Sequence, residues 1–297
     1  MSTEFVKGPE GFSIVFDSEH DAMSTESGII KGPRKITIGK GDAPTADGEI
    51  RIPIYGDPSR VAVSKMSFNS TCVTAVALAD LSAGLERSGY EGQSGHGQVV
   101  LILLMDCDMP DHTLARAGIT VTEGITAVIQ DLGLAYDGLP ASGSTTQTIV
   151  TVRANGAKPY LRGAGKHTKL GELIGRSTKE AVRKSASANR TDIGTRRSLM
   201  EMMERYGYDQ DKLYRLADCL NYREYIEKLI DNDSDPRMLA LVSSIIHIAN
   251  EIRWGLVPED TGYEAGIGLI RLFREPTRSG SLMDTLALNL AKYMADL

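Results

Sequence analysis

The sequence has few cysteines, no excess of positive charge and no long apolar run. Its three cysteines, Cys72, Cys107 and Cys219, lie far apart and form no C-x-x-C pair, which argues against a zinc ribbon or a disulfide framework and suits a reducing compartment. The net charge of −6 lacks the basic footprint of a nucleic-acid-binding protein. No uncharged apolar run approaches the roughly 20 residues of a membrane helix, and no apolar h-region opens the chain. We therefore expect a cytoplasmic protein that binds neither nucleic acid nor membrane.

The composition is that of a soluble globular protein. The chain has 297 residues, of which 41% are hydrophobic and 24% charged, enough for one large or two ordinary domains. Residues 1–58 place Gly and Pro turns between short β-like runs, which predicts a few short strands at the edge of a sheet. His20 lies between the acids Glu19 and Asp21, and we expect it on a solvated surface.

Strands and helices are predicted to alternate from residue 60 onward. Apolar runs bounded by turns indicate buried strands, and apolar residues on one helical face between Pro110 and Gly133 indicate a helix. The order predicts an α/β fold, a layered sheet with packed helices. The predicted elements are strands at 73–81 and 99–105, a helix at 111–132, a strand at 148–152 and a helix from 170 to about 184.

The rest of the chain is predicted to be helical, because apolar residues recur at three- and four-residue spacing. Small polar residues at 185–195 predict a linker. We therefore expect an α/β domain over residues 1–188, with 1–58 as its turn-rich β extension, and a smaller all-helical C-terminal domain over residues 195–297. The predicted tail helices lie at 197–206, 211 to about 228, 236–252 and 283–295.

Chemically useful side chains are concentrated between residues 141 and 175. A glycine-rich loop leads to His167 at the start of a predicted helix. A helix N-terminus favours anions, and a histidine there could act as general acid or base, or bind a divalent metal with Glu172. Alternatively, Thr168 and Glu172 only cap the helix, and the hydroxyl residues only form a turn. The substrate-binding candidates of this stretch are Ser142, Ser144, Thr145, Thr146 and Thr168.

Two further acids are candidates. Glu123 lies in the predicted helix among Thr and Gly residues, which are poor helix formers, so we expect something to approach the backbone closely there. Asp106 follows the strand at 99–105, and strand carboxyl ends in open α/β sheets tend to bind ligands. The alternatives are a solvated helical charge for Glu123 and a helix cap for Asp106.

Four blocks of the sequence, taken in order, match the pattern of one family. They are VTAVALADLSAGLERSG at 73–89, LILLMDCDMPDHTLARAGITVTEGITAVIQDLGL at 101–134, ASGSTTQTIVTV at 141–152 and GKHTKLGELIGRSTKEAV at 165–182. They contain a strand ending in an aspartate and proline, a T-E-x-x-T helix core, a G-x-x-T turn and an H-T-x-L-G-E-L-I-G-R motif. Over about residues 60–187 the chain resembles the adenosylcobinamide amidohydrolase (CbiZ) family.

The resemblance implies a corrinoid-salvage enzyme with a small-molecule corrinoid as its substrate. Such an enzyme hydrolyses the amide that joins the aminopropanol arm to the corrin ring of adenosylcobinamide and yields adenosylcobyric acid. The sequence leaves metal dependence open and is compatible with a homo-oligomer.

Hydrolysis of an unactivated amide needs a nucleophile, a group that stabilises the oxyanion and an acid for the leaving amine. The candidate catalytic residues are His167, Glu172 and Glu123. We expect His167 or Glu172 to activate water or a hydroxyl of residues 144–146, with backbone N–H groups of the Gly143 or Gly165 loops holding the oxyanion.

The chain departs from the family at one position of the turn. The family turn reads G-T-x-T-D, whereas Gln147 takes the place of the acid here. This departure favours, as an alternative, a corrinoid-binding protein without turnover. The tail is faintly similar to α-ribazole-phosphate phosphatases at residues 238–256 and at Met283 and Asp284. This similarity implies a bifunctional protein as a third hypothesis, and the alternative is that the tail is a structural or inactive remnant, because it lacks paired aspartates at Asp284 and Thr285.

Overall fold

The chain folds into two compact units. The computed structural model describes residues 3–8, 11–41, 46–92, 95–189, 198–219 and 221–297. One unit contains residues 1–134 and 140–191, and the other contains residues 135–139 and 192–297. The first unit is mixed α/β, and the described chain from residue 198 onward is helical, so the predicted fold class is confirmed.

The regular elements up to residue 189 begin with a series of short strands. In chain order they are β1 (Thr3–Gly8), β2 (Gly11–Phe16), β3 (His20–Ser24), β4 (Gly28–Lys31), β5 (Lys35–Lys40), β6 (Glu49–Ile54), β7 (Ala62–Phe68), β8 (Thr71–Asp80), β9 (Leu85–Glu86), β10 (Gln98–Met105), α1 (Asp111–Asp131), β11 (Ala135–Tyr136), β12 (Leu139–Pro140), β13 (Gly143–Ser144), β14 (Thr146–Ala154) and α2 (Lys169–Asn189).

A six-stranded sheet with the order β4-β3-β14-β10-β8-β7 forms the centre of the first unit. Strands β10 and β14 are parallel, with Gln98 opposite Thr146 and Met105 opposite Arg153, and α1 lies in the connection between them. All eight residues of β10 are buried, as its continuous apolar run predicts. We call the Gln98 end of this strand pair the amino edge and the Met105 end the carboxyl edge.

Each face of the central sheet is covered by a different layer. Helices α1 and α2 pack on one face. Ala75, Ala77 and Ala79 alternate in β8 with Val76 and Leu78, which belong to the core on the opposite face, so the small residues point towards α2. Alanine side chains leave room for a close approach of the helix.

The other face is covered by a separate four-stranded sheet with the order β1-β2-β5-β6. Residues 1–58 were expected at a sheet edge, and this is only partly right, because only β3 and β4 extend the six-stranded sheet. Phe12, Ile14 and Phe16 alternate along β2 and are buried against the central sheet. The apolar faces of β2, β5 and β6 require a covering layer, which explains the second sheet; β1 extends this sheet but is exposed.

The expectation for His20 was wrong. Its side chain is fully buried beside Phe16, with ring centroids 4.4 Å apart, and its Nδ1 lies 2.7 Å from the carbonyl oxygen of Ser18. Burial lowers the pKa of His20, although the Ser18 contact and the nearby acid Asp17 oppose that shift. The acidic neighbours in the sequence gave no sign that the first residue of β3 points inward.

The second unit contains more helices than were predicted, and one predicted helix is broken. The predicted helix from 211 to about 228 is two helices, because Asp218 adopts a left-handed conformation (φ 52°) and Asn221 caps a new helix. Residues 185–189 of the predicted linker belong to α2, whereas residues 190–195 and residue 197 lie outside the described residues. The helices are α3 (Leu199–Glu204), α4 (Gln210–Ala217), α5 (Tyr222–Asn232), α6 (Pro236–Arg253), α7 (Glu259–Ile270) and α8 (Leu282–Asp296).

Candidate active site

Helices α1 and α2 run side by side, and glycine permits their close contact. A Cβ atom on Gly124 would lie 2.9 Å from Cγ2 of Thr178, and one on Gly171 would overlap the carbonyl oxygen of Gly165. The expectation that something approaches the α1 backbone closely near Glu123 is therefore confirmed, and the approaching element is α2.

The loop before α2 is held by threonine hydroxyls. Thr113 donates to the carbonyl oxygen of Arg162 (2.9 Å) and Thr120 to that of Ala164 (2.8 Å), so two α1 threonines fix the loop. Thr168 donates to the Gly165 carbonyl (2.8 Å) and accepts from the N–H of Gly171 (3.0 Å). Thr168 is thus the cap of α2, as the structural alternative predicted.

A groove of about 260 Å³ lies between the two helices. Glu123 of α1 and Glu172 of α2 both line it, so the structure brings together two of the three predicted catalytic residues. The basic residues of the groove were not predicted, although the sequence contained one signal: Arg176 follows Glu172 at the i+4 spacing of a helical ion pair. The lining residues are Thr120, Glu123, Gly124, Lys166, Gly171, Glu172, Gly175, Arg176 and Lys179.

Each carboxylate of the groove is paired with a lysine. Nζ of Lys166 lies 2.9 Å from Oε1 of Glu123, and Nζ of Lys169 lies 2.5 Å from Oε2 of Glu172. Arg176 adds a 3.4 Å contact to Glu172. The hydrogen bond from Lys169 lowers the pKa of Glu172, with a further contribution from Arg176. Glu172 is therefore a carboxylate at neutral pH and a poor proton donor.

His167 is exposed in the loop directly before Thr168 and α2. Its ring lies close to Gly165, since a Cβ atom on that glycine would be 2.9 Å from the ring Cε1. The same Cβ atom would be 3.4 Å from Nε of Arg116. Among the described residues, no hydrogen-bond partner occupies either ring nitrogen. Neither nitrogen is therefore held in a structural hydrogen bond within the described ranges, which leaves the ring free for proton transfer.

The hydroxyl turn lies at the amino edge of the sheet, where its side chains bind neighbouring loops. Ser144 donates to the carbonyl oxygen of Thr146 (2.8 Å) and Thr145 donates to that of Gly84 (2.9 Å). The hydroxyl of Ser142 lies 3.2 Å from that of Ser88. These contacts describe a braced turn, and Ser142, Ser144, Thr145 and Thr146 do not line the groove.

The turn nevertheless contacts α1 near the groove. Thr126, three residues beyond Glu123, donates to the carbonyl oxygen of Ser142 (2.8 Å). The side-chain oxygen of Gln147, the departure from the family pattern, would lie 3.4 Å from a Cβ atom on Gly143. Gln147 therefore packs against its own turn.

Asp106 lies at the carboxyl edge and does not line the groove. Its carboxylate accepts a hydrogen bond from the backbone N–H of Cys72, and the N–H of Asp106 donates to the carbonyl oxygen of Cys72 (3.1 Å). Helix α1 begins after Pro110 without a side-chain cap, so the capping alternative for Asp106 is wrong. Its observed contacts tie the end of β10 to the start of β8.

An ion network at the carboxyl edge, centred on the buried side chains of Arg153 and Asp21, was missed by the sequence analysis. Nη2 of Arg153 lies 2.7 Å from Oδ2 of Asp21 and 2.8 Å from Oδ1 of Asp111. Lys31 also reaches Asp21, at 2.8 Å. A charged residue within the buried run of β14 was the available signal, since buried charges are normally paired.

No metal centre can be assembled from the described side chains. Within those ranges, no group of three or more His, Cys, Asp or Glu residues is placed to hold a metal ion. Glu172, the proposed metal-ligand partner of His167, is instead bound to Lys169 and Arg176. Both carboxylate oxygens of Glu172 thus face a basic side chain.

The tail residues suggested as phosphatase-like have structural contacts. Asp284 forms a capping box with Ser281 at the start of α8 and accepts a hydrogen bond from the Tyr208 hydroxyl (2.6 Å). None of the helices described here is both long and apolar enough to cross a bilayer.

The first unit thus has an α/β fold, with a charged groove between two helices that pack on a mixed sheet. The adenosylcobinamide amidohydrolase family model matches residues 58–193, which confirms the resemblance seen in the sequence. This family is one of amide-bond hydrolases, and the matched segment contains every residue that lines the groove.

Two individual proteins are also similar to parts of the chain. An uncharacterized protein of Methanocaldococcus jannaschii, MJ1613, is 36% identical over 89 residues, which are 29% of this chain and 34% of that protein. The match therefore spans about a third of the relative's length. The crystal structure of the PH0078 protein from Pyrococcus horikoshii OT3 aligns with a TM-score of 0.32 and 10% identity, covering 62% of this chain and 81% of that one.

Proposed function

We propose that this protein hydrolyses the amide between the aminopropanol arm and the corrin ring of adenosylcobinamide, giving adenosylcobyric acid for corrinoid salvage. The observation that carries the proposal is the position of the groove, whose lining residues all lie in the segment that matches the amidohydrolase family. The groove also gathers acidic and basic side chains, and the exposed His167 directly follows the lining residue Lys166 in the chain; amide hydrolysis requires groups of these kinds.

The reaction adds one water across the amide. The water oxygen attacks the carbonyl carbon and forms a tetrahedral oxyanion, and the C–N bond then breaks. The first proton removed from water, directly or through a side chain, goes to the nitrogen of the leaving aminopropanol. The carboxylic acid that forms then passes its proton to the released amine, so the products are a carboxylate and an ammonium ion. The enzyme must therefore hold one proton between attack and departure.

His167 is the best placed group for that proton. Its side chain is exposed, and no described residue forms a hydrogen bond with the ring, so in the proposal it accepts a proton from water and returns it to the leaving amine. Glu172 cannot donate this proton, because the contact with Lys169 keeps it ionised. Lys166 and Arg176 supply positive charge to the groove and would stabilise the oxyanion.

Water is the preferred nucleophile over the hydroxyl turn. Ser144 and Thr145 already donate to backbone carbonyls, so activation of either hydroxyl would first break a structural hydrogen bond. A groove of about 260 Å³ is also much smaller than a corrinoid. It would admit the aminopropanol arm while the ring stays outside.

The assignment of His167 predicts a large loss of activity when its side chain is removed. General acid–base catalysis contributes about 10²- to 10⁴-fold, so His167→Ala should reduce kcat for aminopropanol release by at least about 100-fold. His112→Ala, which removes another exposed histidine of the same unit, is the matched control and should retain activity. Unchanged turnover in His167→Ala would remove His167 from the mechanism.

A corrinoid-binding protein without turnover is the second candidate, and Gln147 favours it. The family has an acid at this position, and a neutral amide can form hydrogen bonds there but cannot transfer a proton. Binding of adenosylcobinamide without release of aminopropanol would support this alternative.

A further inference from the structure

The aromatic ring of Phe68 lies outside the groove and contacts Lys169, the lysine that is paired with the groove residue Glu172. Phe68 ends β7, next to the two-residue turn to β8, and is 48% exposed. Nζ of Lys169, the first residue of α2, lies 4.8 Å from the centroid of the Phe68 ring. The same ammonium group contacts Oε2 of Glu172 at 2.5 Å.

This arrangement restricts a side chain that would otherwise move freely. An exposed lysine has a flexible four-carbon stem and usually gains little from a surface ion pair, because holding two long side chains costs entropy. A second contact to the face of an aromatic ring reduces the number of positions open to the ammonium group. The ring therefore limits where Lys169 can meet Glu172.

We propose that Phe68 is a positioning residue that fixes Lys169 and, through it, orients the carboxylate of Glu172 in the groove. Its relevance to turnover rests on the proposed function, but the coupling of the three side chains does not. The other charged groups around Glu172 are Arg176, at 3.4 Å, and the groove residues Lys166, Lys179 and Glu123. Lys166 and Lys179 have their own partners in Glu123 and Asp131, so Phe68 acts mainly through Lys169.

The direct test is a titration of the Glu172 carboxyl group by NMR in the full chain. Lys169 lowers the pKa of Glu172, so Phe68→Leu should raise that pKa, whereas Phe68→Tyr, which keeps an aromatic face, should leave it near the wild-type value. Val63→Ala changes another exposed apolar residue of β7 and should have no effect. An unchanged titration in Phe68→Leu, or an equal shift in Val63→Ala, would overturn the proposal.

A double variant separates positioning from a local disturbance. Lys169→Gln should raise the pKa of Glu172, and adding Phe68→Leu to it should cause no further shift, because the ring then has nothing to position. If the two shifts add, Phe68 does not act through Lys169.

In an assay of aminopropanol release, Phe68→Leu should lower kcat/KM about two- to fivefold, the size expected from loss of an exposed cation–π contact. Phe68→Tyr should restore the wild-type value. If the wild-type chain releases no aminopropanol, the proposed function fails, and the titration alone still decides the positioning role.

Discussion

The most strongly perturbed carboxylate outside the groove is Asp21, in the ion network of the carboxyl edge. Burial alone would raise the pKa of Asp21, but hydrogen bonds from Lys31 and Arg153 outweigh it and lower the pKa to about 2. A folded pKa below the ordinary value of 3.8 means that ionised Asp21 stabilises the fold. This contribution is fully present above about pH 4 and is lost as the pH falls towards 2.

Asp21→Asn should therefore destabilise the protein at neutral pH. The shift from 3.8 to about 2 corresponds to about 2 kcal/mol in the free energy of unfolding. Between about pH 4 and pH 2, the free energy of unfolding should also fall less in the variant than in the wild type. Denaturant unfolding at several pH values measures both effects.

Asp111→Asn is the matched control, since it removes another carboxylate that contacts Arg153. The side chain of Asp111 is 48% exposed, so water screens the pair and we expect a loss below about 1 kcal/mol. Equal losses in the two variants would show that burial does not set the strength of this network.

At the level of single residues, the sequence indicated two of the side chains that line the groove, Glu123 and Glu172, but not their pairings. Glu172 was chosen because it lies near a helix start and Glu123 because of its unusual helical neighbours, whereas His167, chosen for the same helix start, lies in the loop before α2 and is not a lining residue. The pair of Lys166 with Glu123 joins residues on different elements, and no local pattern encodes such a contact. His20 was misjudged for the same reason, because its burial depends on the second sheet.

Among the elements, α2 is the one whose packing shapes the candidate site. Gly171 meets the carbonyl oxygen of Gly165 in the His167 loop, whereas a Cβ atom on Gly175 would have no heavy atom within 4 Å. Two glycines one turn apart therefore have different roles. Gly171 permits close contact with the loop, whereas no packing contact requires a glycine at position 175, which lines the open groove.

Alanine substitutions at these glycines should have opposite effects. Gly171→Ala should cost about 1–3 kcal/mol through overpacking against the loop, and Gly175→Ala should stabilise the helix by about 0.5–1 kcal/mol. Chemical denaturation of the two variants under one condition tests the contrast. If Gly171→Ala is as stable as Gly175→Ala, the loop does not pack against α2 as described.

Most elements with a clear period were predictable. The buried run of β10 and the apolar stripe of α1 gave the correct type and nearly the correct bounds. The break between α4 and α5 was missed because it depends on the left-handed conformation of Asp218, which Asp adopts only in some contexts. Helix α7 was missed as well.

For the whole molecule, the layer order was the feature that the sequence did not reveal. The strands of residues 1–58 were visible, but a strand pattern does not say whether a strand joins a sheet or lies over it. The apolar faces of β2, β5 and β6 become meaningful only against Val76, Ile102 and the other core residues of the central sheet. The helical layer with the groove lies on the opposite face, so the opening strands do not cover it.

The central claim concerns the catalytic activity of the intact chain. Incubation of the full protein with adenosylcobinamide, followed by measurement of free aminopropanol and adenosylcobyric acid, tests it most directly. The proposal predicts that the two products form in equal amounts and over many turnovers, and that His167→Ala forms them much more slowly. Recovery of bound but intact adenosylcobinamide would contradict it.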